Sequence, residues 1–493
     1  MSSTMHELVT MLTLASGGVA SAWLVGARRW SALIALGLLI SASWRWISLV
    51  LLDAVGLRGF GYEVWIVPLL VVLAIAVAIA HRSKAFWIAL GLASLFALIS
   101  VGITRGLLLG ARAHSDSNWI LAMSDAVQSA STDLAALGGR VAIKRGFAYP
   151  TLLALGPDGE QLTAVTPYLW FVLLVAIWWL GQSAIGKVVE PRQRWLMLGI
   201  SALIIAAAIT AALPWRALLY VNGHTLFAVA ATSALAATIF AIRREALHAH
   251  ELVAISLGFA TIASTRPEGI VFAAVLALPL LTKGWLQRWQ IATLVASATG
   301  ALGLWLLAAD WVLLQRLGLF NWLLVAIMLA ASVAIALPWF DAMRRNLTRI
   351  AVALALLFTL TVAAWFNVAL VPGLEGLWQN LGPENQGLWG YFLLVFIPIL
   401  LFIGWRGTSD SYRILLTTSL LLVFATLASK VLDGAQVLEI SLGRAGWTDS
   451  VNRMWIHSVG IFLVTALVGM FERGKQVLAA SANNSRTEDP VTS

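Results

Sequence analysis

The stretch AFWIALGLASLFALISVGI, residues 85–103, holds neither a charge nor a proline and is bounded by Lys84 and Arg105. Wound as a helix rising about 1.5 Å per residue, it spans roughly 28 Å, close to the hydrocarbon thickness of a bilayer. A single apolar segment in lipid satisfies its backbone amides only as a helix, so the stretch reads as a membrane-spanning helix. Working outward from it, apolar runs bounded by charge or by Pro/Gly clusters give fifteen candidate segments, four up to residue 103 and eleven from residue 167 onward. The composition agrees: of 493 residues 60% are hydrophobic and 11% charged, with mean hydropathy +0.88. That excludes a water-soluble globule. The expected fold class is all-α, a polytopic transmembrane helical bundle of about 13–15 spans.

The net charge of +9 is explained by topology before any partner is invoked. Threading the loops alternately puts 19 of the 32 Lys and Arg on one side, among them Arg28, Arg29, Arg82, Lys84, Arg243, Arg244, Lys283 and Arg288. Cytoplasmic loops collect basic residues, so that side is assigned to the cytoplasm and residues 105–166 to the outer face. No nucleic-acid partner is implied. The chain has no cysteine, which removes disulfides, thiolate catalysis and cysteine-bound metals. Its seven histidines show no metal-ligand spacing, and no metal or other cofactor is required. Residues 474–493 are polar and rich in small side chains, the composition of a disordered cytoplasmic tail.

The outer loop 105–166 breaks the pattern of short connections, and long loops in compact proteins are where function concentrates. Ile120, Met123, Val127, Ala130, Leu134 and Leu137 recur at spacings of three and four, opposite Ser124, Asp125, Gln128, Ser129, Thr132 and Asp133. This predicts an amphipathic surface helix that starts just after residues 114–119 and stops at Gly138-Gly139. Arg140, Lys144 and Arg145 follow, then the segment Phe147-Ala148-Tyr149-Pro150. A carboxylate near the membrane face serves as general base on an acceptor hydroxyl, and Lys or Arg groups stabilise a departing phosphate. Asp116 also suits a helix cap, and the basic cluster also suits contact with lipid headgroups.

Two further places carry polar groups that suit a binding role. Arg266 and Glu268 fall between two short apolar stretches, where an ionisable residue is costly unless it faces a cavity or a partner. Tyr220, Asn222 and His224 lie in another short outer loop and are groups that hydrogen-bond sugars.

This layout resembles the GT-C superfamily of membrane glycosyltransferases. The resemblance rests on an acidic residue in the first long outer loop, the string Phe147-Ala148-Tyr149-Pro150-Thr151-Leu152-Leu153-Ala154-Leu155, and Thr265-Arg266-Pro267-Glu268-Gly269. It covers roughly residues 85–281. It implies a GT-C-like core at 85–282 containing the outer loop 105–166, preceded by N-terminal helices at 1–84 that extend the family pattern. Helices at 283–473 and the tail at 474–493 would follow. It also implies transfer of a sugar from a polyprenyl-phosphate donor to an extracytoplasmic glycan, lipid or protein acceptor, with inversion, in the cell membrane. Asp116 would be the base and Asp125 the second candidate. Arg140, Lys144, Arg145 and Arg266 would hold the donor phosphate, and Tyr149, Tyr220, Asn222, His224 and Glu268 the substrate. The competing expectation is a transporter or lipid-linked-glycan flippase, with Arg45, Arg266 and Glu268 along a pathway.

Overall fold

The computed structural model describes residues 3–54, 61–106, 115–128, 148–156, 160–185, 223–266, 269–313, 409–432 and 455–487, with a few single positions between them. These residues form helices and connecting turns. In chain order the helices are α1 Ser3–Leu24, α2 Trp30–Ala54, α3 Gly61–Ile79, α4 Lys84–Gly106, α5 Ser115–Gln128, α6 Ala148–Leu153, α7 Val165–Ile185 and α8 His224–Arg244. They continue with α9 Ala249–Thr265, α10 Gly269–Leu281, α11 Arg288–Leu313, α12 Asp410–Leu432 and α13 Val459–Thr487. Among the described residues, six helices are long and apolar enough to cross a membrane: α1, α2, α4, α7, α8 and α13. The decisive stretch at 85–103 is the body of α4, the most hydropathic of the six.

The chain divides into two compact units, one of Met1–Trp179 with Trp215–Leu357, the other of Leu180–Pro214 with Phe358–Ser493. Within the first unit α8 is the centre, with almost every side chain from His224 to Ile242 buried. The opposite case is α4, which leaves Trp87, Ile88, Leu95, Leu98 and Ile99 exposed on one side. With Val67, Leu70, Val71 and Ile75 of α3 and Leu174 and Trp178 of α7, these form apolar surface that water does not tolerate and lipid does.

Helices α1 and α4 run antiparallel. The start of α1 meets the end of α4 through Glu7 and Arg105, and the end of α1 meets the start of α4 through the edge-to-face pair Trp23 and Phe86. Helices α1 and α2 cross at Gly18 and Gly37, where a Cβ on either residue would collide with the other's backbone. Close approach over small residues is how helices gain packing where lipid supplies no hydrophobic drive. The same contact lets Ser41 Oγ donate to Leu14 O at 3.1 Å. Helix α2 also meets α9, with Ser43 Oγ 3.5 Å from Thr261 Oγ1. Residues 1–84 are thus packed into the same unit as the expected core, because α2 lies against α9 as well as α1.

In the second unit α12 and α13 pair through Ser419 and Thr465, whose hydroxyls are 2.8 Å apart. Helix α13 runs on to Thr487, so the expected unstructured tail is helical over most of its length. The reason lies in local propensity: Glu472, Arg473, Lys475, Gln476, Ala479 and Ala480 are strong helix formers, and a polar composition does not by itself end a helix begun in an apolar segment. The helix expected in the long loop is likewise corrected at its start. It begins at Ser115, not after Trp119, so Asp116 lies in its first turn. Ile120 and Met123 are buried as the periodicity requires, but so is Ser124, expected on the polar face.

Candidate functional site

At one end of the first unit, the ends of α1, α4, α8 and α9 converge with α5, α6 and the start of α7. The loop that follows α6 is held by a charge network. Arg105 Nε donates to Glu7 Oε2 at 2.6 Å, and its Nη2 donates to Glu160 Oε2 at 2.6 Å and to Ser3 Oγ at 2.7 Å. Glu7 is fully buried and also accepts the Ala164 backbone N–H at 3.2 Å. The bond from Ser3, with that from Arg105, holds the Glu160 carboxyl below its ordinary value. Gln128 at the end of α5 donates to the carbonyls of Gly156 and Glu160, both at 3.0 Å.

Helix α6 is short and wholly buried. Its Tyr149 hydroxyl pairs with Thr166 Oγ1 at 2.6 Å, joining it to α7. Burial raises the Tyr149 phenol above its ordinary value and the Thr166 bond partly offsets this, so the hydroxyl stays protonated. Arg45, buried in α2, donates through Nε to Thr151 O at 3.3 Å, meeting a carbonyl that so short a helix leaves without an intrahelical partner.

The break between α9 and α10 sits beside α6. Helix α9 ends at Thr265, and Arg266 turns extended, with φ −155° and ψ 144°. Its Nη2 lies 3.4 Å from Nε2 of His224, the first residue of α8, which is 2% exposed. A guanidinium only donates, so the contact favours the tautomer in which Nε2 is bare. Gly146, with φ +70°, presses against the carbonyls of Ser264 and Thr265, so tightly that a Cβ there would collide with the end of α9. Only glycine meets both the left-handed conformation and the close approach.

The structure therefore brings Arg266 and His224 together, with Tyr149 behind them in a structural bond to Thr166. Asp125 is exposed and accepts a hydrogen bond from Gln161, so it ties α5 to the loop after α6. Asp116 is placed in the first turn of α5. Arg140, Lys144, Arg145, Tyr220, Asn222 and Glu268 lie outside the described residues. Among the described residues no group of three His, Asp or Glu side chains gathers as a metal site would.

Sequence reasoning missed the Glu7–Arg105–Glu160 network. The available signal was Glu7, a lone acid at the edge of the first apolar segment, which lipid makes costly without a cation to meet it. It also passed over the opposite end of the unit, where Arg28, Arg29, Arg244, His248, His250 and Glu251 line a cavity of about 400 Å³. Comparison of the chain with protein-family models, with curated proteins and with solved structures finds no match.

Proposed function

We propose that this protein is an integral membrane glycosyltransferase of GT-C type, which moves a sugar from a polyprenyl-phosphate donor to an acceptor in the cell envelope, on the extracytoplasmic face. The observation that carries the reading is the half-buried Arg266, set against buried His224 at a helix break on the same end of the bundle as the long loop. A fixed cation at the membrane edge suits a lipid-borne phosphate, and an adjacent imidazole suits the hydroxyls of a sugar.

In this mechanism Asp116 takes the proton of the acceptor hydroxyl, and the acceptor oxygen bonds the anomeric carbon from the face opposite the departing phosphate. The bond from that carbon to the phosphate oxygen breaks, its electron pair stays on the phosphate, and Arg266, with Lys144 or Arg145, stabilises the charge. Direct displacement inverts the anomeric configuration. The transport reading has less support: Arg266 lies at the end of α9 and Arg45 is engaged with α6, whereas a pathway calls for ionisable groups near the bilayer midplane.

The test is transfer from a radiolabelled polyprenyl-phosphate sugar in membranes carrying Asp116→Asn or Arg266→Gln at normal protein level. Losses of about a hundredfold or more are expected for each, the scale of a missing base or charge stabiliser. Wild-type levels of transfer in Asp116→Asn would overturn the assignment of the base.

A further inference from the structure

The cavity at the opposite end of the first unit has a composition that topology alone does not require. It lies where the α1–α2 turn meets the end of α8 and the start of α9, and its 400 Å³ falls within the range of small-ligand pockets, about 300–1,000 Å³. Three arginines, Arg28, Arg29 and Arg244, line it against one carboxylate, Glu251. Val25, Ala32, Trp179 and Phe240 give it an apolar wall.

Each cation is held in place. Arg28 Nη1 donates to Trp23 O at 2.6 Å and Ala27 O at 3.0 Å, capping α1, while its guanidinium lies over the Trp23 ring. Arg29 stacks on Phe240 at 4.4 Å, and its guanidinium makes no hydrogen bond or ion pair with another described residue. Arg244 pairs with Glu251, which is 1% exposed and also accepts the His248 backbone N–H at 3.0 Å, closing the capping box of α9. The one acid is therefore already committed, to Arg244 and to a helix cap. Burial, then the charges of Arg244 and Arg243, lower the Arg29 pKa, and Glu251 offsets this in part, as expected where positive charge is crowded. A stacked guanidinium keeps its N–H edge for an acceptor, and its planar fork matches two phosphate oxygens.

We propose that this cavity is a phosphate-binding site, in which Arg29 and Arg28 hold the oxygens of a phosphoryl group while the Phe240 and Trp179 wall receives the apolar part of the ligand. The chemistry fits an anionic phospholipid headgroup of the adjacent leaflet, and basic pockets between membrane helices take such headgroups. A free phosphate or pyrophosphate presents the same oxygens without the apolar part. The site is separate from the one assigned to sugar transfer, at the other end of the helices.

Native mass spectrometry of the full-length protein in neutral detergent tests it, with phosphatidylglycerol and phosphatidylcholine of matched chains as probes and inorganic pyrophosphate as competitor. Phosphatidylglycerol should bind about tenfold or more tightly than phosphatidylcholine, whose own ammonium offsets its phosphate, and Arg29→Gln and Arg28→Gln should each weaken phosphatidylglycerol binding about fivefold and phosphatidylcholine binding less. Displacement by pyrophosphate would identify the phosphoryl group itself as the ligand, and resistance to it would identify the lipid. Equal binding of the two lipids by the wild-type protein would overturn the proposal whether or not the variants fold. So would unchanged phosphatidylglycerol binding in both folded variants.

Discussion

The two ends of the first unit are built on the same device and finished in opposite ways. At one end buried Glu7 joins Arg105 to the amide of Ala164; at the other buried Glu251 joins Arg244 to the amide of His248. Each carboxylate thus ties two chain segments together, at the loop before α7 in one case and at the turn between α8 and α9 in the other. The difference is the charge left over. Arg105 is met by two acids, Glu7 and Glu160, and the network closes on itself. Around Glu251 there are Arg28, Arg29 and Arg244, and the surplus is positive and borders a cavity. A balanced network clamps the chain, whereas a surplus of fixed cations beside open space is equipped to hold an anion.

The comparison is broken most directly at its closed end. Glu7→Ala removes a fully buried carboxylate, leaves Arg105 with Glu160 and Ser3 alone, and frees the Ala164 amide. It should cost about 3 kcal/mol, toward the lower end of the range for breaking a buried pair because Arg105 keeps some access to solvent. The readout is the temperature at which the detergent-solubilised protein ceases to run as a single species. A midpoint within a degree of wild type would mean that the Glu7 network does not hold the loop. Glu251→Gln is milder, at about 1 kcal/mol, since the amide oxygen still caps α9 and Arg244 is partly exposed. It should also raise phosphatidylglycerol affinity a few-fold by adding to the local positive charge. A fall in affinity would mean that the carboxylate itself takes part in binding.

The smallest effect concerns pH and the exposed Glu160. Its carboxyl is held low by Ser3 and Arg105. A group whose pKa is depressed on folding stabilises the fold above its unfolded value and loses that contribution as pH falls through the folded value. Wild type should exceed Glu160→Gln by about 0.5 kcal/mol or less at pH 7, as for other exposed pairs, and the gap should close as the pH falls below the ordinary carboxylate range. A gap that persists or widens in acid would show that the glutamate acts through something other than its charge.

Much of the spanning architecture was legible because the bilayer imposes it residue by residue. Residues 85–103 could hardly be anything but α4, and the alternation of charged turns already put Arg28, Arg29, Arg243 and Arg244 together at one end. Arg266 was legible as a charge at a helix break, since it stands out between two short apolar runs. Its partnership with His224 was not, because the two are separated by the whole α8–α9 hairpin, and no local period links them. The start of α5 was misplaced for a different reason. Ser, Asp and Asn favour caps and turns on average, yet here Ser115, Asp116, Ser117 and Asn118 all lie inside the helix, on which Ile120 and Met123 are buried.

The sequence by itself determined that this is a helical membrane protein, because transfer of apolar segments into lipid depends on composition alone. Only the tertiary structure decided which charges are neutralised and which are surplus. Pairing depends on distances of a few ångströms between residues such as Glu7 and Arg105, or Arg29 and Phe240, that are far apart along the chain.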